Sequence, residues 1–300
     1  MGVSDMAMTE VRSPSTLNEL VSVLAQATPR TRLLAGGTDL VRTLRQPGVE
    51  PDVLIDLSGL DELKAVRLDG EMLHVGALAT FTQLQWDPLV REHAYCLSLA
   101  AAQVGSAQIR NAGTVGGNVA NASPCADGVT ALTVLGAVVT TVDGAGATRT
   151  RPIDEVVLGP SRTSLAHDEA VTGFAFPALG PEHRSAFSKI GSRTAVSVAR
   201  LSCALVVRFD ATAGTLASVR VALGAVGEAA FRASELERAL EGRPADEETA
   251  RLFAGGCVAA VQESIPGRYS LPYKQHAAVG LAYDAWNMLA LSAPCEPAWA

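Results

Sequence analysis

The chain has no cluster of cysteines. Cys96, Cys125, Cys203, Cys257 and Cys295 lie far apart, are odd in number and form no C-x-x-C pair. That spacing argues against a disulfide framework and against a zinc or iron–sulfur centre. The histidines (His74, His93, His167, His183, His276) are equally scattered, so no resident metal is expected. Charge is also scarce. Asp, Glu, Lys and Arg make up 18% of the residues, and 24 basic side chains face 31 acidic ones for a net charge of −7. A wholesale basic surface for nucleic acid or anionic lipid is thereby disfavoured. The longest apolar-leaning stretch, Val129 to Val142, is too short to span a bilayer and is interrupted by threonines. Met1 to Glu10 carries acids and no apolar run, unlike a secretory signal. These absences predict a cytoplasmic protein without membrane insertion. What is present is a hydrophobic fraction of 48% over 300 residues, enough for about two packed domains.

No internal repeat interrupts the chain. Thr16 and Glu19 form a capping-box pattern ahead of Leu17, Leu20, Val21 and Leu24, which recur at helical spacing. Strands are expected at Arg32–Ala35, Asp52–Leu57 and Met72–Gly76, and helices at Thr82–Val90 and Cys96–Val104. Gly105 to Asp127 reads as one long loop rich in glycine and asparagine. Val138–Asp143 and Ala147–Pro152 flank an Asp-Gly-Ala-Gly turn and predict a hairpin. Glu169–Phe176 is a further strand. Pro177 to Arg184, with two prolines and a glycine, predicts a domain boundary. Beyond it, Ala186–Ile190, Leu201–Phe209 and Leu216–Ala225 read as consecutive antiparallel strands. Helices follow: one capped by Ser234 with Glu237, then Glu247–Glu263 and Pro272–Leu291. Strands in a block followed by helices indicate an α+β fold.

Two glycine pairs carry the chemical interest. In Leu33-Leu34-Ala35-Gly36-Gly37-Thr38-Asp39-Leu40 a strand ends in two glycines before a helix start. Such a turn can aim backbone N–H groups at an anion, or it can be a plain strand–turn–helix corner. The second pair lies in Gln108 to Pro124, a stretch of small residues, amides and hydroxyls in which Arg110 is the only charge. A connection that long is usually functional, and its content suits a large polar ligand. No Walker lysine follows either pair, no G-x-G-x-x-G spacing is present, and no G-x-S-x-G frames a nucleophile. Asp127, just beyond the loop, suits either a bond to ribose or amide or a helix cap near Gly128.

Together, LLAGGTDLV and QIRNAGTVGGNVANASPCAD resemble the FAD-binding, medium subunit of the molybdenum hydroxylases, the xanthine dehydrogenase and carbon monoxide dehydrogenase family. VLIDLSGLDEL, LHVGALATFTQL, AFSKIGSRTAVSVA and VALGAVGEAAFRASELE follow in that family's order. The resemblance implies an α+β chain with a vanillyl-alcohol-oxidase-type (PCMH) FAD-binding domain over residues 1–178, in two subdomains of about 1–60 and 61–178. A small C-terminal α+β domain over 183–292 follows, with an antiparallel sheet and helices. It further implies that Leu33, Leu34, Ala35, Gly36, Gly37, Thr38, Asp39 and Leu40 wrap the FAD pyrophosphate and ribityl chain. Thr114, Val115, Gly116, Gly117 and Asn118 form a second clamp, and Asp127 bonds toward the adenosine side. Val104 and Gly105 stand beside the isoalloxazine ring, Leu165 is an apolar ring contact, and Lys189 is a basic residue near the flavin. A lone lysine is otherwise mostly a solvated surface residue.

No catalytic acid or base is implied, since the cofactor carries the chemistry. The implied partners are a small subunit with [2Fe–2S] clusters and a large molybdopterin subunit, in a dimer of heterotrimers, with NAD or another electron acceptor. Two other functions remain open at this point. One is a self-standing FAD-dependent oxidase of the same fold; the other is a flavin-free scaffold bridging partner subunits.

Overall fold

A computed structural model of the chain describes residues 10–46, 48–193 and 196–291. Cys295 and residues 1–9, read above from sequence, lie outside the described residues. The first unit runs β1 (Glu10–Arg12), α1 (Leu17–Leu24), β2 (Thr31–Leu34), α2 (Leu40–Leu44) and β3 (Val53–Asp56). Its strands form a parallel sheet in the order β1-β3-β2, with each helix serving as a crossover. The capping reading holds for α1: Thr16 Oγ1 accepts from Glu19 N at 3.2 Å, and Glu19 reaches back to Ser15 N at 2.8 Å. Leu20 and Leu24 of that helix pack on Ile55, Leu57, Leu60 and Leu63.

The second unit holds β4 (Val66–Asp69), β5 (Met72–Gly76), α3 (Phe81–Trp86), α4 (Pro88–His93), α5 (Tyr95–Ala102), α6 (Ala107–Ala112), α7 (Val115–Asn121) and α8 (Asp127–Leu135). It continues with β6 (Val138–Asp143), β7 (Thr148–Pro152), α9 (Ile153–Val156), β8 (Val157–Gly159), β9 (Arg162–Thr163) and β10 (Glu169–Pro177). Five of its strands make an antiparallel sheet in the order β4-β5-β10-β6-β7. The hairpin expected around Asp-Gly-Ala-Gly is β6–β7, closed by Asp143 N to Ala147 O at 3.1 Å.

Two expectations fail here for identifiable reasons. The single helix over Thr82–Val90 is two helices, because Asp87 is extended and caps α4 through Leu89 N and Val90 N, with Pro88 in the first turn. The long loop over Gly105–Asp127 contains α6 and α7. Ser106 Oγ caps the first through Ile109 N and Thr114 Oγ1 the second through Gly117 N. Glycine lowers helix propensity and hides such a helix from sequence patterning.

The third unit is β11 (His183–Gly191), β12 (Ala199–Asp210), β13 (Thr215–Gly224), β14 (Phe231–Arg232), α10 (Ser234–Leu240), α11 (Glu247–Ser264) and α12 (Leu271–Leu291). The strands form an antiparallel sheet in chain order, and helices follow them as expected. Both faces are buried, and alternation along the strands sorts them. Phe187, Ala204, Val206 and Ala222 join the core shared with α5 and α8. Cys203, Leu205, Val207, Val221 and Leu223 face the core built with the C-terminal helices. Helix α8, buried at every position, is pressed between the second and third units. A Cβ on Gly224 would lie 2.0 Å from Thr130 Oγ1, so only glycine lets that helix seat on β13. The expected Ser234–Glu237 cap is absent: Ala233 is the N-cap, and Glu237 instead accepts from Val221 N at 2.8 Å and pairs with Arg232.

Candidate functional site

The first glycine turn follows β2. Gly37 has φ +69°, the left-handed region that a side chain would strain. Among the described residues, the N–H groups of Gly36, Gly37, Thr38 and Asp39 donate to no backbone or side-chain acceptor. Successive N–H groups without a protein acceptor are the donor set an anionic group requires. Gly36 has a second reason to be glycine. A Cβ there would lie 1.7 Å from Ala112 O and 3.0 Å from Gly113 N, so the turn is docked backbone-to-backbone on the end of α6. The two glycine pairs, distant in sequence, are one site.

The second pair is built differently. Val115 N donates to Ala79 O at 3.0 Å, Gly116 N to Ala77 O at 2.8 Å, and Gly117 N to Thr114 Oγ1. These amides are already partnered, which corrects any expectation of a second open amide cradle. Gly116 is glycine for packing, since its Cβ would lie 2.7 Å from Ala77 Cβ. Gly117 is exposed and turned toward Ala35, whose Cβ is 4.0 Å from the position its own Cβ would take. Asn118 Oδ1 is buried without a hydrogen-bond partner, as are Arg110 Nε and Asp127 Oδ1 on the same segment. Unpartnered buried polar atoms are costly, and three in one segment point to a polar ligand.

The far end of α6 opens into a cavity of about 240 Å³ lined by Ala102, Gln103, Gly105, Arg110, Lys189, Gly191, Arg193, Val196 and Ser197. Lys189 is no solvated surface residue. Its side chain is 6% exposed, and Nζ donates to Asp127 Oδ2 at 2.5 Å and to Gln103 O at 3.0 Å. Burial pushes the Asp127 carboxyl up to about 6 even against the opposing pull of the Lys189 ammonium. Asp127 is the first residue of α8 and makes no capping bond, so the helix-cap alternative is not what the structure holds. Instead it ties the second unit to β11 of the third. Gly105, with φ +47°, shapes the cavity edge, while Val104 and Leu165 are half-buried and pack on the main core. Cavity and turn meet along α6: Gly105 and Arg110 line the cavity, and the turn rests on Ala112 at the end of the same helix.

Known proteins resemble this chain over most of its length. Residues 7–179 match the FAD binding domain in molybdopterin dehydrogenase, and residues 186–289 match the CO dehydrogenase flavoprotein C-terminal domain. The chain belongs to the FAD-binding family of molybdopterin dehydrogenases. It is 34% identical over 277 residues to a nicotinate dehydrogenase FAD-subunit from Eubacterium barkeri, covering 91% of this chain and 93% of that one. It is 31% identical to a putative xanthine dehydrogenase FAD-binding subunit from Escherichia coli, covering 87% and 89%. The structure of carbon monoxide dehydrogenase from Hydrogenophaga pseudoflava superposes with a TM-score of 0.85 at 28% identity, covering 95% of this chain and 98% of that one. The chain therefore has the PCMH-type FAD-binding domain and C-terminal domain expected, and its relatives are oxidoreductase subunits.

The expected site residues fall into two groups. Leu33 to Leu40 form the turn and its flanks, and Gly105 and Lys189 line the cavity; Asp127 pairs with Lys189. Thr114, Val115 and Gly116 are scaffold, buried under the site, whereas Gly117 and Asn118 reach its surface. Sequence reasoning missed Gln103, Arg110, Arg193 and Ser197 as cavity residues. Arg110 had a signal, as the single charge in a neutral loop; the others become neighbours only through β11. Among the described residues, no group of His, Cys, Asp or Glu could hold a metal ion, and no helix is long and apolar enough to cross a membrane.

Proposed function

We propose that this chain holds FAD in the site described and serves as the electron-transfer subunit of a molybdenum-containing hydroxylase. The observation that carries the reading is the docking of the open Gly36–Asp39 amides onto α6, whose other end leads to the Lys189 cavity. The donor set fits FAD: unpartnered amides suit a pyrophosphate, Asn118 Oδ1 and Asp127 Oδ1 offer acceptors, and a roomy cavity suits an isoalloxazine ring. When bound, FAD supplies a carrier that takes up and releases electrons. The protein's own residues bind, orient and set the field. Gly36, Gly37, Thr38 and Asp39 hold the anionic centre by their N–H groups. Gly117 leaves the surface open opposite Ala35. Arg110, Lys189 and Arg193 place positive charge at the cavity, which favours negative charge on whatever occupies it.

In this reading molybdopterin and [2Fe–2S] clusters reside on partner subunits, as expected for a chain with scattered thiols. Electrons leave through NAD or another acceptor, and the assembly is a dimer of heterotrimers in the cytoplasm. Exposed Ile109, Val196 and Val198 lie on or next to the segments that line the cavity and offer an apolar contact for a cluster-bearing subunit. Co-expression with candidate iron–sulfur and molybdopterin subunits should yield a complex with one acid-releasable FAD per copy of this chain, bleached by the complex's substrate. A chain that takes up no FAD defeats the reading. A chain whose flavin is reduced by substrate without either partner makes it a self-standing oxidase instead.

A further inference from the structure

The cavity beside α6 is lined by three cations, Arg110, Lys189 and Arg193, and by no carboxylate among the described residues. The three charges are not equivalent. Lys189 is offset by Asp127, to which its Nζ donates at 2.5 Å. Arg193 is exposed, with Nη2 donating to Val196 O at 2.7 Å, and water and salt screen a charge so placed. Arg110 is half-buried, and its hydrogen bonds go to carbonyls instead of a carboxylate. Nη1 donates to Val104 O and to Gly105 O, each at 3.3 Å, which pins the guanidinium at the cavity edge. Its Nε is buried without a hydrogen-bond partner. A guanidinium keeps its proton in a protein, so this charge is present at every working pH. A partly buried cation that the chain does not offset lowers the energy of negative charge beside it.

In the proposed site the isoalloxazine ring occupies this cavity. The oxidised ring is neutral, and uptake of two electrons and one proton leaves it with one negative charge. We infer that Arg110 makes the cavity discriminate between the two oxidation states of FAD, holding the reduced, anionic ring more tightly and so raising its midpoint potential. This rests on the proposed FAD site, with the ring in the cavity that Arg110 lines. Of the three cations, the one whose charge no carboxylate offsets and water screens least sets the preference.

The test uses the full chain loaded with FAD and compares Arg110→Met, Arg110→Lys and Arg193→Met. Anaerobic titration with dithionite and a reference dye reads the midpoint potential. Oxidised FAD and ADP are titrated separately into the chain freed of flavin. Arg110→Met should hold reduced FAD about tenfold less tightly relative to oxidised FAD, lowering the potential by about 30 mV. Arg110→Lys keeps the charge and should stay within about twofold of the parent, or about 9 mV. Arg193→Met should move the potential much less than Arg110→Met does. ADP, which lacks the ring, should bind all three variants within about twofold of the parent. An Arg110→Met chain that weakens both oxidation states equally, at unchanged potential, overturns the inference, since the side chain then only shapes the cavity edge. So does an Arg110→Lys shift as large as that of Arg110→Met, or an Arg193→Met shift as large. Should Arg110→Met fail to fold, Arg110→Gln retains a donor for the two carbonyls without the charge and must lower the potential; an unchanged potential there is equally fatal. If the parent chain binds no FAD, the functional reading itself fails. If it binds FAD and the potential ignores Arg110, the FAD site stands and this inference falls.

Discussion

The two glycine pairs look alike in sequence and do opposite things in the fold. Around Gly36-Gly37, glycine leaves four amides bare and lets the turn rest directly on another backbone. Around Gly116-Gly117, the amides are partnered inside the protein, and glycine serves mainly to bring α7 against Ala77. The first region is an open turn with few internal bonds, read here as the binding surface. The second is a piece of core whose outer edge, at Gly117, is exposed. Damage to the second should therefore register in stability first, and damage to the first in ligand binding first.

The largest effect belongs to the ion pair that closes the second region. Lys189→Met leaves Asp127 buried with no cation, and loss of one member of such a pair costs about 3–5 kcal/mol. Urea unfolding at neutral pH measures it. The sign of the pH dependence follows from Asp127, whose folded pKa of about 6 lies above the ordinary carboxylate value near 4. The folded chain binds the extra proton, so this group's contribution to stability falls as pH rises from about 4 through 6 and is flat above. Without the ammonium the Asp127 carboxyl is pushed further up, so the Lys189→Met deficit should shrink as pH falls toward 6 and stay flat below it, and Asp127→Asn should abolish that pH-dependent segment. A deficit independent of pH would show that Asp127 is ionised throughout.

Next come two alanines that separate the regions. Gly116→Ala drives a methyl to 2.7 Å from Ala77 and should cost about 1–3 kcal/mol in unfolding experiments, with FAD lost only in proportion. Gly36→Ala places a methyl against the Ala112 carbonyl, so the turn must lift from α6, and FAD should weaken more than tenfold at a smaller stability cost. If both variants lose stability and affinity in the same ratio, the contrast between the regions collapses.

A finer cut lies within the second pair. Gly117→Ala meets only Thr114 Oγ1 at 3.0 Å and the Ala35 methyl at 4.0 Å. It should leave the melting temperature within a few degrees while lowering FAD affinity, the reverse of Gly116→Ala. The smallest effect is expected for the caps. Thr114→Ala and Ser106→Ala each lose one N-terminal bond, worth about 1 kcal/mol, on α7 and α6 respectively. Thermal melts of the FAD-free chain suffice to read them.

Much of this molecule was legible as sequence because the signals are local. The strand runs of β11 to β13, the Thr16–Glu19 cap and the Asp-Gly-Ala-Gly hairpin depend on neighbours a few residues apart, and each expectation was met. The helices α6 and α7 were hidden because glycine and asparagine are poor helix formers. Both are held by their caps, and α7 also by its bonds to Ala77 and Ala79 and its packing on Ala77, which no propensity records. The Ser234–Glu237 box failed because Glu237 found a stronger partner in Arg232 across the sheet edge.

The sequence by itself determined the two-part α+β order, the two glycine segments and the family. Tertiary structure alone decided which glycine amides stay open. It alone brought Gly36 onto Ala112 and turned an ordinary-looking Lys189 into the buried partner of an aspartate 62 residues away. The reason is physical. Backbone conformation follows from local sterics that sequence displays directly, whereas hydrogen-bond partnership and burial depend on what the rest of the chain places alongside.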